Sequence, residues 1–148
     1  MNPGRLSWFR WACGVSAGIM VFFTFGIARP LFQAFPRETA GAITAVFFPY
    51  YFGAILLGFL VAAALVLPTR EKNTRRLVAF VLVILALAAI SSIAFGIGPA
   101  IQRLPLPEAR ETFRTLHAIS MALNLLAMTI AIGAPLVVTG PARKASVS

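Results

Sequence analysis

The sequence predicts an all-α integral membrane protein, folded as a bundle of four membrane-spanning helices. Of its 148 residues, 59% are hydrophobic and only 11% are charged, and its mean hydropathy is +0.89. A soluble domain carries about 25% charged residues because its surface must be hydrated. The composition therefore excludes a soluble enzyme or a soluble DNA-binding domain. The apolar residues also fall into four runs, each long enough to cross about 30 Å of hydrocarbon as a helix.

The four predicted spans form a single transmembrane domain over residues 1–148. They cover about residues 6–28, 43–67, 77–101 and 113–138. The first span contains a charge only at Arg10, close to its start. It is longer than the apolar part of a signal peptide and lacks a small-residue cleavage site, so we interpret it as a retained membrane anchor. The sequence predicts no low-complexity segment and no internal repeat.

A proline-interrupted outer segment precedes the second span. Pro30 is predicted to end the first helix, and a new helical pattern begins at Arg37, directly after Pro36. This pattern extends to Leu67, which is roughly 46 Å of helix and more than the hydrocarbon core needs. Pro49 is therefore predicted to kink or interrupt this helix.

The net charge of +9 comes from 13 Lys and Arg residues against four acids. These basic residues stand in small groups beside the apolar runs, where they interact with lipid headgroups, so we predict no nucleic-acid binding. Eight lie on the side that holds both termini: Arg5, Arg10, Arg70, Lys72, Arg75, Arg76, Arg143 and Lys144. Five lie on the other side: Arg29, Arg37, Arg103, Arg110 and Arg114. The positive-inside rule then predicts that both termini are cytoplasmic. The expected location is a bacterial inner membrane.

Small residues are predicted to hold the helices together, because they let helix backbones approach closely in lipid. They recur at helical spacing on three spans: Gly14 and Gly18 on the first, Ala54 and Gly58 on the second, and Ala88, Ser92 and Gly96 on the third. We therefore expect Gly14, Gly18, Ser92 and Gly96 to mark helix–helix contacts.

The fourth span carries a polar stripe. At 100° per residue, one face about 60° wide holds His117, Ser120, Met121, Asn124 and Met128, and Arg110 extends it outwards. Polar side chains at membrane depth are costly when they face lipid, so this face is predicted to point into the bundle. Two interpretations remain open: hydrogen bonds that join helices, or a ligand site built on a histidine able to change charge near neutral pH.

These side chains are predicted to meet others at the outer ends of the helices. Pairing across helix ends would offset the cost of arginine and glutamate at membrane depth. We expect His117 and Asn124 to face Arg29, Arg37 and Tyr51 across the bundle. The complete predicted polar cluster is Arg29, Arg37, Glu38, Tyr51, His117, Ser120 and Asn124.

The sequence predicts no metal, cofactor or catalytic site. His117 and Met121 have the i, i+4 spacing of a copper-ligand pair, so they are the candidates if a metal binds. A single histidine excludes bis-histidine haem ligation within one chain, and the lone Cys13 cannot form an internal disulfide. The four acids show no arrangement typical of an enzyme, so a non-enzymatic role is expected.

Two segments of the chain resemble a known family. FQAFPRETAGAITAVFFPYYF is similar to F-x-x-L-P-R-x-x-x-G followed by F-P-x-Y-F, and FRTLHAISMALNLLAM is similar to F-x-x-L-H-x-x-S-x-x-x-N-L. With the four-span layout, they resemble the transmembrane protein 205-like family, whose bacterial members are mostly labelled a domain of unknown function. The matching positions are Pro36, Arg37, Gly41, Pro49, Tyr51, Phe52, Phe113, His117, Ser120 and Asn124. A eukaryotic relative is associated with resistance to platinum drugs, so the resemblance implies export or trafficking of soft metal complexes.

The sequence favours a small membrane protein that transports or handles a small ligand or a soft metal complex through an outward-facing polar cluster. An oligomer is expected, since four helices enclose little room for a pathway. The alternative is a non-catalytic accessory subunit of a larger membrane complex, and a third hypothesis is a haem- or copper-binding redox subunit. The expected partners are membrane lipids together with further copies of the chain or that larger complex.

Overall fold

The computed structural model of the protein describes residues 1–67, 73–105 and 109–139. It contains four long helices: α1 Pro3–Ala34, α2 Arg37–Val66, α3 Thr74–Gln102 and α4 Arg110–Thr139. Each is long and apolar enough to cross a membrane, and every regular element in the described part of the chain is helical. The protein is therefore a membrane-embedded four-helix bundle, which confirms the predicted fold class. Six of the charged residues counted above lie outside the described residues: Arg70, Glu71, Lys72, Glu108, Arg143 and Lys144.

The four helices form a ring in which each packs against two neighbours. α1 packs against α2 and α4, and α3 packs against the same two helices. As a result, α1 lies diagonally opposite α3, and α2 lies diagonally opposite α4. Buried side chains from all four helices form one apolar core, which includes Phe9, Met20, Ile55, Phe59, Val83, Ile90, Ala127 and Ile130. We call the end that holds Met1 and Thr139 the inner end, and the end that holds Pro36 and Pro105 the outer end.

Two of the helices contain a π-helical segment near the outer end. In α1 it spans Phe22–Ala28, and in α3 it spans Ile93–Ile97. Each segment is followed closely by a proline, Pro30 or Pro99. A proline inside a helix lacks the N–H donor and its ring crowds the carbonyl one turn earlier, and a locally widened helix accommodates both effects. Pro30 therefore does not end α1, contrary to the prediction.

The second helix also differs from the prediction around its proline. α2 runs from Arg37 to Val66 without a break, and Pro49 lies inside it. Of the two alternatives predicted at Pro49, the interruption does not occur, and a kink stays a prediction. The chain breaks at Phe35 and Pro36, between α1 and α2. Phe35 has the extended conformation that the residue before a proline favours.

Two arginines secure the inner end of α2. The Arg76 side chain on α3 is buried, and its guanidinium donates to the carbonyl oxygens of Val66, over 3.2 Å, and Leu67. Arg5 on α1 donates to the carbonyl oxygen of Ala64 over 2.9 Å. The last carbonyls of a helix have no partner within the helix and carry partial negative charge. The basic residues at this end are therefore part of the helix packing as well as candidates for lipid contact.

The same two arginines lie in the first turns of their helices. Asn2 accepts a hydrogen bond from the backbone N–H of Arg5 over 2.8 Å, and Asn73 accepts one from the backbone N–H of Arg76 over 3.2 Å. Asparagine in this position caps a helix, because its side-chain oxygen satisfies an N–H that the helix leaves free. The caps at Asn2 and Asn73 therefore start α1 and α3 and fix the backbone from which each arginine reaches α2.

Most of the small residues predicted to pack helices together do not do so within this chain. Gly14, Gly18 and Gly96 are exposed, and a Cβ atom added to any of them would meet nothing within 4 Å. Ser92 is also exposed and donates to the carbonyl oxygen of Ala88, on its own helix, over 2.8 Å. The predicted packing role of these four residues is therefore wrong for the single chain.

A close approach of α1 and α2 occurs at Gly58. A Cβ atom added there would overlap the hydroxyl oxygen of Ser16 and would lie 3.6 Å from the carbonyl oxygen of Ala12. Ser16 is fully buried, and its hydroxyl donates to that same carbonyl over 2.9 Å. Because Gly58 has no side chain, the two helix backbones can approach at this level.

The hairpins α1–α2 and α3–α4 share several local features. Each begins with Asn-x-x-Arg, carries Phe-Gly-Ile in its π-helical segment, and starts its second helix with Arg-Glu-Thr. Corresponding residues are Asn2 and Asn73, Arg5 and Arg76, Gly26 and Gly96, and Arg37 and Arg110. The buried positions do not follow the same alignment: Phe9, Cys13, Met20 and Phe23 on α1 precede the buried Ala79, Val83, Ile90 and Ile93 on α3 by 70 residues, whereas the two Asn-x-x-Arg starts are 71 residues apart.

Candidate functional site

A polar pair crosses the bundle towards its outer half. The hydroxyl group of Tyr51 on α2 donates to Oδ1 of Asn124 on α4 over 2.8 Å. These helices lie diagonally opposite each other, so the hydrogen bond passes through the middle of the bundle. Tyr51 is buried and Asn124 is half-buried. We call these residues the Tyr51–Asn124 pair.

An aromatic cluster surrounds the tyrosine of this pair. Phe23, from the π-helical segment of α1, stacks on Tyr51 with ring centroids 4.2 Å apart and an angle of 29° between the rings. Phe52 meets Tyr51 edge-on at 5.0 Å, and Phe48 lies 5.9 Å from Phe23. Rings at such distances attract each other beyond their apolar burial. The cluster therefore holds the Tyr51 ring in the position from which it reaches Asn124.

A crevice of about 250 Å³ opens on the surface between α1 and α2 beside this cluster. Its walls are the side chains of Ile19, Phe22, Phe23, Ile27, Phe47, Tyr50, Tyr51 and Ala54. The α1 wall belongs partly to the π-helical segment, and the α2 wall flanks Pro49. π-helical segments occur often at functional sites. The crevice therefore combines an apolar opening, irregular helix in one wall and a proline in the other.

The crevice and the Tyr51–Asn124 pair meet at one residue. Tyr51 lines the crevice with its ring, and its hydroxyl group is bonded to Asn124 inside the bundle. Tyr50, the next residue, also lines the crevice but is 76% exposed. We define the candidate site as this crevice together with the Tyr51–Asn124 pair. The sequence analysis expected Asn124 to face Tyr51 across the bundle, and the structure joins the two side chains by a hydrogen bond.

Four other members of the predicted polar cluster are exposed: Arg29, Arg37, Glu38 and His117. The ring of His117 stacks on Phe113, one turn earlier on the same helix, with centroids 5.7 Å apart. The expectation that His117 points into the bundle towards Arg29 and Arg37 is therefore wrong. Ser120 is half-buried.

Helix geometry explains why the stripe on α4 divides. The buried face of α4 is formed by Ala127, Ile130, Ala131 and Ala134. At 100° per residue, Ser120 lies about 20° from Ala127, Asn124 about 60°, His117 about 80° and Met121 about 120°. The stripe therefore runs along the edge of the buried face. Ser120 and Asn124 fall inside that edge, whereas His117 and Met121 fall outside it.

The residues considered as metal ligands are separated in the structure. His117 and Met121 are both exposed on α4, and Cys13 is buried on α1. Across residues 1–67, 73–105 and 109–139, no group of three or more His, Cys, Asp and Glu side chains could hold a metal ion. The ion pair found in this part of the chain, Arg114 with Glu111 at 3.2 Å, is exposed on α4.

The hydrogen bond between Tyr51 and Asn124 agrees with the expectation that Asn124 faces Tyr51 across the bundle. The sequence analysis missed the aromatic cluster and the crevice that surround Tyr51. Tyr51 follows Arg37 by 14 residues, and Asn124 follows Arg110 by 14 residues. The two side chains therefore lie at the same distance from the starts of α2 and α4.

A comparison with models of protein families identifies the family of the chain. The model of a domain of unknown function, DUF4149, matches residues 11–110, which is more than half of the chain. The chain belongs to the DUF4149 family. The match takes in Tyr51 and the crevice but ends before Asn124 and His117. It does not test the resemblance to the transmembrane protein 205-like family, which stays a prediction. Comparisons with curated proteins and with solved structures find no match to this chain.

Proposed function

We propose that this DUF4149 protein binds a small, mostly apolar ligand from the bilayer in the crevice between α1 and α2, and that the Tyr51–Asn124 pair recognises a polar group on it. The observation that carries the proposal is the double position of Tyr51, in the crevice wall and in the buried hydrogen bond. A polar group of the ligand would replace one member of this hydrogen bond: it would bond to Tyr51 in place of Asn124, or to Asn124 in place of Tyr51.

The chemistry of the crevice defines the class of ligand. Binding sites for small molecules are mostly apolar and aromatic, with a few polar groups that set orientation. The walls here supply four aromatic rings besides the Tyr51 ring: Phe22, Phe23, Phe47 and Tyr50. They include no thiol, thioether or charged side chain. These walls favour an uncharged organic molecule with a flat or extended apolar body over a soft metal complex.

Handling of this ligand at the bilayer is the function that follows. Buried apolar side chains fill the bundle between the four helices, so the ligand would enter and leave sideways, through the lipid-facing opening. Release on the opposite side of the membrane would require the crevice to open again at another level. The π-helical segment and Pro49 are the elements that would move, because their backbone hydrogen bonds already depart from the regular ladder.

Filling the crevice tests the proposal. Ala54 is an exposed residue of the crevice wall, so Ala54→Phe would occupy the space without disturbing the core. The matched control is Ala88→Phe, an exposed alanine on α3 at a similar distance from the outer end. Each protein would be purified in a mild detergent, and native mass spectrometry would measure small molecules retained per folded chain. We expect Ala54→Phe to lose the retained molecule and Ala88→Phe to keep it. Equal retention in both variants would contradict the proposal.

A non-catalytic accessory role is the second candidate, and the exposed outer part of α4 favours it. Arg110, Glu111, Arg114 and His117 are exposed within the first eight residues of this helix. A partner subunit, or a further copy of the chain, would cover these groups at lower cost than lipid. Co-purification of a stoichiometric partner that is lost in an Arg114→Ala, His117→Ala variant would support this role. A Soret band or stoichiometric copper in the purified protein would instead support the third hypothesis, a redox subunit.

We propose the orientation that the sequence predicts, in which the inner end lies in the cytoplasm of a bacterial cell. The Lys and Arg count supports it, since the inner side carries eight of these residues and the outer side five. Single cysteines at position 109 or 148, introduced after Cys13→Ala, would be labelled in intact cells with a membrane-impermeant reagent. We expect label at position 109 alone. Label at position 148 alone would show that the orientation is the opposite one.

A further inference from the structure

A second groove lies on the opposite part of α1, near the inner end. It has a volume of about 380 Å³ and is lined by Ser7, Arg10, Trp11, Gly14 and Val15. All five residues belong to α1, at the spacing of one helix face, so none of the other helices covers this face. Gly18, one turn beyond Gly14, continues it: a Cβ atom at either glycine would meet nothing within 4 Å. From Ser7 to Gly18 the open face is about 16 Å long.

Arg10 gives this groove a charged end that has no partner among the described residues. It is exposed, and no hydrogen bond or ion pair joins it to another described residue. Arg5, five residues earlier, differs because it donates to the carbonyl oxygen of Ala64. A guanidinium at the edge of the hydrocarbon requires an anion. Trp8 and Trp11 are 68% and 66% exposed. Exposed tryptophan is typical of the membrane–water interface, so this part of α1 lies at that interface.

We infer that this face of α1 binds one anionic phospholipid. The Arg10 guanidinium and the Ser7 hydroxyl hold the phosphate, and an acyl chain lies along the open backbone at Gly14 and Gly18. Arginine suits this role because its donors match the geometry of phosphate oxygens. The glycines let the chain lie close to the helix backbone, which bulky side chains would prevent. The site thus joins a positive end to an apolar channel, which is the shape of the ligand.

A second copy of the chain would fit this face less well. Two bundles with the same orientation in a membrane are related by a two-fold axis along the membrane normal, so a residue close to that axis lies near its own equivalent at the same depth. Contact through Gly14 and Gly18 would therefore bring the two Arg10 side chains close together, one turn from the glycines, and like charges repel at low dielectric. Charge complementarity therefore favours the phospholipid.

Quenching of Trp11 fluorescence tests the inference. Trp8→Phe leaves Trp11, in the groove wall, as the sole tryptophan. This protein would be placed in phosphatidylcholine nanodiscs that contain a small fraction of phosphatidylglycerol with dibrominated acyl chains, or the same fraction of dibrominated phosphatidylcholine. We expect the anionic lipid to be preferred at Trp11 about fivefold, the effect of one basic residue near a charged headgroup. Arg10→Gln should abolish the preference, and Arg29→Gln, an exposed arginine at the outer end, should retain it.

Two results would overturn the inference. The first is equal quenching by the two brominated lipids in the Trp8→Phe protein, or a preference that survives Arg10→Gln. The second is efficient disulfide cross-linking of two chains through Gly18→Cys, in a Cys13→Ala background, together with little quenching by either lipid. That pair of observations would show that a second copy covers the face. Neither readout involves the crevice between α1 and α2, so this test is independent of the proposed ligand site.

Discussion

The two hairpins of this bundle follow one plan but differ in what their helices bury. In α1–α2, a glycine meets a buried serine at the inner half, and aromatic rings surround Tyr51 at the outer half. In α3–α4, the buried positions hold mainly alanine, valine and isoleucine. Small aliphatic side chains allow α3 and α4 to pack along their length. Large rings beside the small Ala54 leave the crevice between α1 and α2.

The difference between the hairpins lies in their side chains and not in the layout of their helices. The capping asparagines, the arginines that bind α2, the π-helical segments and the Arg-Glu-Thr starts are present twice. The aromatic residues of the crevice are present once: the residue that corresponds to Tyr51 is Asn124, its hydrogen-bond partner. One hairpin therefore supplies the rings and the tyrosine, and the other supplies the amide oxygen that accepts the tyrosine's hydrogen bond.

The largest expected effect concerns the arginines of the two Asn-x-x-Arg starts. Arg76 is buried and donates to two carbonyl oxygens of α2, whereas the half-buried Arg5 donates to one. Arg76→Leu should lower the free energy of unfolding by about 3 kcal/mol, because it leaves buried carbonyls without donors, and Arg5→Leu should lower it by about 1 kcal/mol. Reversible unfolding in mixed detergent micelles measures both. Equal losses would show that the two hairpins do not differ at this end.

The next effect concerns the backbone contact in the first hairpin. Gly58→Val should lower the free energy of unfolding by about 2 kcal/mol, because its side chain would overlap Ser16. The matched variant in the second hairpin is Gly133→Val on α4, where an added Cβ atom meets nothing within 4 Å. That variant should change the free energy by less than about 0.5 kcal/mol. The same unfolding measurement distinguishes the two variants. Gly58→Ala should also lower the free energy of unfolding, and adding Ser16→Ala should restore part of that loss, because it removes the hydroxyl that the new Cβ atom would overlap. A similar loss at both glycines would remove this contrast between the hairpins.

The hydrogen bond between Tyr51 and Asn124, which connects the two hairpins, should contribute less to the free energy of unfolding. Hydrogen bonds between membrane helices average about 0.6 kcal/mol in double-mutant cycles. We expect a coupling of that size between Tyr51→Phe and Asn124→Leu, since each variant removes one member of the same hydrogen bond. The four proteins of the cycle would be compared by unfolding. A coupling of zero would mean that the two side chains meet without stabilising the bundle, and the pair would then have no structural role.

The sequence predicts the number and composition of the spans well, but not the direction in which each helix faces. Hydropathy summed over about 20 residues identifies a span, because the cost of placing polar residues in hydrocarbon accumulates along it. Rotation about the helix axis is harder to predict, since lipid tails and the protein core are equally apolar. Gly14 and Gly18 illustrate this, because their spacing fits a helix contact and yet both are exposed.

The candidate site was predictable only in part, because its polar residues stand out in the sequence and its aromatic neighbours do not. Tyr51 and Asn124 were selected because polar groups at membrane depth need partners, and the structure pairs them. Phe23 was missed because nothing in an apolar run distinguishes one phenylalanine from the next. Phe23 continues the buried face of α1, three residues after Met20, and it is the rotation of this face towards α2 that brings the ring onto Tyr51.

The smallest expected effect tests where the site ends on α4. His117 lies only about 20° around the helix from Asn124, yet it is exposed and contacts Phe113 of its own helix. His117→Ala should therefore change the free energy of unfolding by less than about 0.5 kcal/mol, and the ligand retained per folded chain should not change. Asn124→Leu should reduce that retention, because it removes the partner of Tyr51. Native mass spectrometry of both variants at equal protein concentration makes the comparison. If His117→Ala lost the ligand while Asn124→Leu kept it, the site would lie on the outer surface of α4, and the crevice would have no part in it.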